Sequence, residues 1–195
     1  MSEGLEDLLA EQLAVVFCGI NPGMTAAAQG HHFAGRGNRF WRTLHLAGFT
    51  PAQVPAQCDR TILEYQCGLT AVVERPTARA DQLSRQEFDA AAAAFEQKIA
   101  RYAPRYVAFL GKAAYSALSG QRNVAWGPQA RTFGNAAVWI LPNPSGRNLA
   151  FSLEQLVVAY RQLKEVAIGP TTIRLTPGTL TAAPPLNIKR GYPER

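Results

Sequence analysis

Near the amino terminus the apolar run Leu13-Ala14-Val15-Val16-Phe17-Cys18 leads straight into Gly19-Ile20-Asn21-Pro22-Gly23. Proline restricts the residue before it to extended backbone, so the Asn21 side chain projects from a stiff turn. A carboxamide donates to and accepts from water but removes no proton near neutral pH. Such a group orients a water nucleophile without acting as a strong base, which suits a substrate with a good leaving group. Asn-Pro-Gly is also an ordinary turn, and that plainer reading stands beside the chemical one. A second segment of the same kind, Leu141-Pro142-Asn143-Pro144-Ser145-Gly146, follows the apolar run Ala137-Val138-Trp139-Ile140-Leu141. If both runs are strands of one α/β sheet, both Asn-Pro turns gather at its carboxyl edge, where ligands bind in such folds.

Other segments offer supporting chemistry. Gly30-His31-His32-Phe33-Ala34-Gly35-Arg36-Gly37 is a glycine-rich loop in which Phe33 serves either as a stacking wall for a planar ligand or as a core residue. His31 and His32 have no Cys or acidic partners at metal-ligand spacing and read as loop residues. After the second turn, Gly146, Arg147, Asn148 and Leu149 are placed either to enter a duplex or to form a solvated surface turn. Gly111-Lys112 opens a helix and resembles an anion site, although the full phosphate-loop pattern is absent.

The elements that must position these groups follow from periodicity. Short apolar runs at 13–18, Leu69–Val73, Tyr106–Leu110 and Ala137–Leu141 read as strands buried on both faces. Between them, 38–48 reads as a helix closed by Gly48, with Phe40, Trp41, Leu44 and Ala47 on one face. A short helix is expected near 56–64. The longest runs from Ser84 to Tyr102, with Ser84 and Glu87 as a capping box. Further helices lead from Gly111-Lys112 to Gly120 and from Ser152 to Val166. Strands alternating with helices predict an α/β three-layer sandwich, with a central, mainly parallel four-stranded sheet flanked by helices. The domain is expected over 1–168, with a Pro/Thr/basic tail over 169–195.

Composition narrows the class. The chain has 195 residues, 47% hydrophobic and 17% charged, as expected of a globular protein. No apolar stretch reaches membrane-spanning length and the start lacks a basic signal, so a cytoplasmic, membrane-free protein is expected. Cys18, Cys58 and Cys67 fit neither a disulfide framework nor a zinc site, and buried reduced thiols are expected. The net charge of +6 comes mostly from arginine and fits a polyanionic partner.

Taken in order, Val15–Gly23, Asn38-Arg39-Phe40-Trp41, Cys67-Gly68-Leu69-Thr70, Leu110-Gly111-Lys112 and Leu141–Gly146 resemble the bacterial mismatch-specific uracil-DNA glycosylases of the thymine-DNA glycosylase branch. The resemblance spans about residues 5 to 166. It implies an enzyme on double-stranded DNA containing G·U or related mispairs; a monomer is expected because DNA lesions are asymmetric. The enzyme flips out the base and hydrolyses its N-glycosidic bond, without metal or cofactor. By position, Asn21 is implied to place the water, while Ile20, Phe33 and Asn143 bind the base. Backbone N–H groups near Ile20 and Phe33 steady the departing anion. Gly146, Arg147, Asn148 and Leu149 form the wedge, and Pro22, Gly23, Ser145 and Lys112 complete the loops.

Two departures from the relatives bear on specificity. Arg147 precedes Leu149 where a leucine is expected first, so the plug is expected to be arginine, with altered opposite-base preference. Ala26 and Ala71 stand where a hydroxyl and a lysine are expected, leaving fewer side-chain contacts around the base. A carboxylate assisting Asn21 would come from Glu64, Glu74, Asp81 or Asp89. The iron–sulfur relatives need four cysteines, one more than this chain has. The competing readings are a nucleotide-binding hydrolase on the same sheet edge and a non-catalytic module for mismatched or damaged DNA.

Overall fold

The computed structural model describes residues 4–169. The expected tail lies, from residue 170 on, outside the described residues. Strands β1 (Val15–Gly19), β2 (Cys67–Ala71), β3 (Tyr106–Leu110), β4 (Gly127–Phe133) and β5 (Ala136–Leu141) form one sheet in the order β2-β1-β3-β5-β4. The four expected strands are all present and mutually parallel. The sheet nevertheless has five strands rather than four, because β4 pairs antiparallel with β5. Its sequence, Gly-Pro-Gln-Ala-Arg-Thr-Phe, is largely exposed and has no apolar run to announce it. An edge strand tolerates Pro128 and a register shift between Pro128 and Thr132, because only one side must bond.

Side chains alternate strictly across the central strands. Val15 and Phe17, Ala108 and Leu110, and Trp139 and Leu141 face one layer. Val16 and Cys18, Val107 and Phe109, and Val138 and Ile140 face the other. The first layer is closed by α2 (Phe40–Ala47) and α5 (Leu153–Ala167), the second by α3 (Arg85–Tyr102) and α4 (Lys112–Ser119). Phe17 sits in a box of rings, with centroids 5.4 Å from Phe40, 5.3 Å from Phe49 and 6.1 Å from Tyr160. Burial of such a ring contributes roughly 1.5–3 kcal/mol.

The helix ends follow the expected chemistry. Ser84 and Glu87 form the capping box of α3, and Ser152 with Gln155 forms another on α5. Gly48 closes α2 in the left-handed conformation, at φ 88°. A short α1 (Met24–Gln29) was not legible, since Gly23 supplies no side-chain cap and half of the helix is alanine. The segment Ala56–Tyr65 is 3-10 helix with a kink at Cys58. Cys18 and Cys67 are buried as expected, but Cys58 is exposed at that kink, because it faces neither layer of the core.

The chain leaves β1 for β2 on one side and returns to β3 on the other. The carboxyl ends of β1 and β3 therefore mark the reversal of strand order, the point at which open α/β sheets bind ligands.

Candidate active site

A cavity of about 640 Å³ opens at that reversal. Its lining comes from the turn after β1, the 32–38 loop, the connection after β2 and the loop after β5. Of the residues singled out from sequence, Ile20, Asn21, Pro22, Gly23, Phe33, Asn143, Ser145, Gly146 and Arg147 line it. Lys112, Asn148 and Leu149 do not. Ala26 and Ala71 lie in the wall, so the positions that depart from the relatives do face the cavity.

Asn21 is held in one orientation. Its Nδ2 donates to the Arg75 carbonyl and to Thr77 Oγ1, both at 2.8 Å. A carbonyl only accepts, so the nitrogen end of the amide must face Arg75. Thr77 Oγ1 donates its own hydrogen to the Arg79 carbonyl at 2.8 Å and is thereby fixed as acceptor toward Asn21. Both Nδ2 hydrogens are thus engaged, and Oδ1 remains as the acceptor offered to water. The backbone is clamped in the same way. Val72 N–H donates to Gly19 O, Val73 N–H to Ile20 O and Thr77 N–H to Pro22 O, at 3.0–3.1 Å. The 72–77 segment thus lies along the Asn21 turn as a brace.

Phe33 stands between cavity and core. It lines the cavity, and its ring stacks on buried Phe40 with centroids 4.0 Å apart and planes 26° apart. Its φ of 57° is left-handed, a conformation that costs a non-glycine residue on the order of 1 kcal/mol or more. The strain is held by neighbours that fix the loop. His32 is buried, its N–H donating to Asp59 Oδ2 at 2.8 Å and its Nε2 lying 2.9 Å from Glu6 O. Trp41 Nε1 donates to His32 O at 3.0 Å, and His31 Nδ1 lies 3.5 Å from Asp59 Oδ1. The two histidines are therefore structural members of the loop, fastened to a buried carboxylate.

The second Asn-Pro loop is anchored from beneath and from the side. Tyr160 on α5 donates its buried hydroxyl to Pro142 O at 3.2 Å, and burial pushes this phenol's pKa well above its usual value, so it stays a neutral donor. Arg39 spreads its guanidinium over the loop, donating to the carbonyls of Phe151 and Asn148 at 2.7 Å, Ser145 at 3.1 Å and Pro144 at 3.4 Å. A planar fork with five donors suits this task as an ammonium does not. Asn143 Oδ1 accepts from Ser145 N–H at 2.9 Å, which turns its Nδ2 hydrogens toward other acceptors. Gly146 passes so close to Gly37 that a Cβ there would lie 2.6 Å from the Gly37 carbonyl oxygen. The missing side chain at Gly146 lets the two loops meet in the wall of the cavity.

Beyond that wall the side chains diverge. Arg147 reaches across to the opposite rim and donates from Nη1 to Ala78 O at 2.8 Å. Leu149 is 90% exposed, the most exposed large apolar side chain among the described residues. Lys112 turns away from the cavity and places Nζ 4.5 Å from the centroid of the Trp126 ring. Of the candidate carboxylates, only Glu74 lines the cavity; Asp81 is paired with Arg79, and Asp89 with Arg85.

Thr77, Arg39, Asp59 and Tyr160 were not singled out from sequence as site residues. Arg39 stood within a quoted motif, but nothing local marks the others, whose partners lie far along the chain.

The Asn21 amide thus lies in a cavity at the strand-order reversal of a mainly parallel sheet, with Phe33 in its wall. A profile of the Uracil DNA glycosylase superfamily matches residues 6–164, and the chain belongs to that superfamily, whose members are DNA glycosylases. The fold is similar to a solution NMR structure from Methanosarcina acetivorans, described as that of a candidate uracil DNA glycosylase. The TM-score is 0.57 at 19% identity, over 84% of this chain and 98% of that one.

Proposed function

We propose that this protein excises mispaired uracil from duplex DNA, hydrolysing the bond between uracil N1 and the sugar C1′ and leaving an abasic site. The observation that carries this reading is the fixed Asn21 amide, whose two donors are spent on Arg75 O and Thr77 Oγ1. Its Oδ1 accepts a hydrogen bond from one water and aims the water oxygen at C1′. The N1–C1′ electron pair leaves with the uracil, the water oxygen bonds to C1′, and the water's proton passes to solvent. Glu74, in the cavity wall, is placed to receive it through an intervening water.

The flipped base lies against Phe33, which is already braced on Phe40. Asn143 Nδ2 is the donor available to a uracil carbonyl, since its Oδ1 is taken by Ser145. Ala26 and Ala71 in the wall make few demands on the substituents of the base, which favours a range of pyrimidine lesions over uracil alone. The gap left in the duplex is filled by the Gly146–Leu149 loop. Leu149 already projects into solvent and is the filler, whereas Arg147 must leave Ala78 O to reach the unpaired guanine. Flipping is easiest for weakly paired bases, which favours mispairs over A·U.

The test is base release under single-turnover conditions from matched duplexes carrying G·U, A·U, G·T or G·etheno-cytosine. Faster release from G·U than from A·U, with measurable release of the other lesions opposite guanine, is expected. Equal rates from G·U and A·U would contradict the mispair reading, and binding without release from any duplex would replace the enzyme by a lesion-binding module.

A further inference from the structure

Beyond the cavity wall the same sheet edge carries an aromatic and cationic cluster that the excision chemistry leaves unused. Trp126 immediately precedes β4, whose first residue, Gly127, pairs with Ile140 near the carboxyl end of β5. Its ring meets Phe151 edge to face, with centroids 5.2 Å apart and planes at 83°. Lys112 Nζ lies 4.5 Å from the Trp126 centroid. With both neighbours in place Trp126 is still 43% exposed, while the other two tryptophans, Trp41 and Trp139, are 6% exposed each. Trp126 is thus the tryptophan whose ring remains available for contact.

The cluster is continuous with the wedge loop. Phe151 O accepts from Arg39 Nη1 at 2.7 Å, and the same guanidinium binds the carbonyls of Ser145 and Asn148. The Phe151–Trp126 pair is therefore tied through Arg39 to the loop that carries Leu149. Its electrostatics point one way. Between Glu96 and Glu154 the sequence contains no Asp or Glu, while Lys112, Arg122, Arg131 and Arg147 fall in that interval. An exposed ring with a cation beside it, in a stretch of chain free of Asp and Glu, fits a nucleic-acid strand, whose bases and sugars pack on rings and whose phosphates take the charges.

We propose that Trp126, Phe151 and Lys112 form a second DNA contact, a platform for the strand flanking the base that enters the cavity. Lys112 takes a backbone phosphate, and Trp126 packs against the adjoining sugar or base. This contact rests on the DNA reading of the neighbouring cavity, but it concerns binding rather than chemistry, and the two fail separately.

Trp126 supplies its own probe. Acrylamide quenching of the intrinsic fluorescence of the full chain should report mainly this ring, and Trp126→Phe should remove the quenchable fraction. Titration with a G·U duplex, followed in parallel by the anisotropy of labelled DNA, should shield that fraction as the complex forms. Trp126→Ala should weaken binding by about 5- to 30-fold, as expected for loss of a stacking contact, with Trp126→Phe recovering most of it. Lys112→Gln should lower the slope of log affinity against log salt by about 1. Uracil release is read in the same samples. Shielding without release removes the glycosylase reading and keeps the platform. DNA binding that leaves Trp126 as quenchable as before, or equal affinity of Trp126→Ala and wild type, overturns the platform whatever the fate of the base.

Discussion

The Thr77 hydroxyl accepts from Asn21 Nδ2 at 2.8 Å while donating to Arg79 O at 2.8 Å, so the direction of the hydrogen bond between them is set by a third group. The amide proposed to hold the water is thereby oriented through a residue 56 positions along the chain. Thr77→Val keeps the shape and removes the acceptor, leaving an Asn21 hydrogen unpaired in a part-buried site. An unmade hydrogen bond of this kind costs about 1–3 kcal/mol, so base release at saturating enzyme should fall roughly 5- to 100-fold. Thr77→Ser should retain most of the rate. Equal rates for Val and wild type would show that Asn21 is oriented by Arg75 O alone.

Gly146 and Gly37 bring two loops into backbone contact. Gly146→Ala places a methyl 2.6 Å from the Gly37 carbonyl oxygen and must push the loops apart. Overpacking of this kind typically costs about 1–3 kcal/mol, and a lowered midpoint of thermal unfolding is expected. Weaker binding of G·U duplex should accompany it, since the wedge and the 35–39 loop move together. A variant with wild-type stability and affinity would mean that the contact yields at no cost.

The brace that carries Thr77 is tied to α3 through an ion pair. The Arg75 guanidinium, hydrogen-bonded to Glu87 at 2.6 Å, holds this carboxyl at about 2, well below its ordinary value of 4.5. The folded value lies below the unfolded one. The stabilisation is therefore complete above about pH 4.5 and is lost as the pH falls toward 2. The pair is solvent-exposed and screened, so the effect should be modest. Glu87→Gln preserves the capping-box pattern with Ser84 while removing the charge. Melting temperature followed from pH 6 to pH 2 should fall less steeply in this variant; parallel curves would contradict the linkage.

Much of this arrangement was legible in the sequence, for definable reasons. Both Asn-Pro turns follow runs such as Val15–Cys18 and Ala137–Leu141, whose unbroken apolar character leaves a buried parallel strand as the economical reading. Ser84 with Glu87, and Ser152 alone, announced two helix starts through local chemistry, the structure adding Gln155 as the partner of Ser152. What escaped was either exposed or distant. Strand β4 is held at an edge by backbone bonds to β5, with Gln129, Arg131 and Thr132 giving no apolar pattern. Lys112, an anion contact by its place at a helix start, lies over the Trp126 ring outside the cavity, where the proposed platform gives it a phosphate. Thr77, Asp59 and Arg39 act through partners on other segments, and no spacing rule connects residues joined only by the fold. Arg147, read with Leu149 as a wedge, donates to Ala78 O across the cavity rim, a partner no spacing rule announces.

The account turns on Asn21 as the residue that places the water. Uracil release from a duplex with one G·U pair should be followed under single turnover for wild type and Asn21→Ala, at equal DNA occupancy established by anisotropy. Release by wild type, with a loss of 100-fold or more in the variant at unchanged occupancy, is the expected result, on the order of what positioning of a reacting group contributes. Undiminished release by Asn21→Ala would contradict the account and move the chemistry to another group in the cavity.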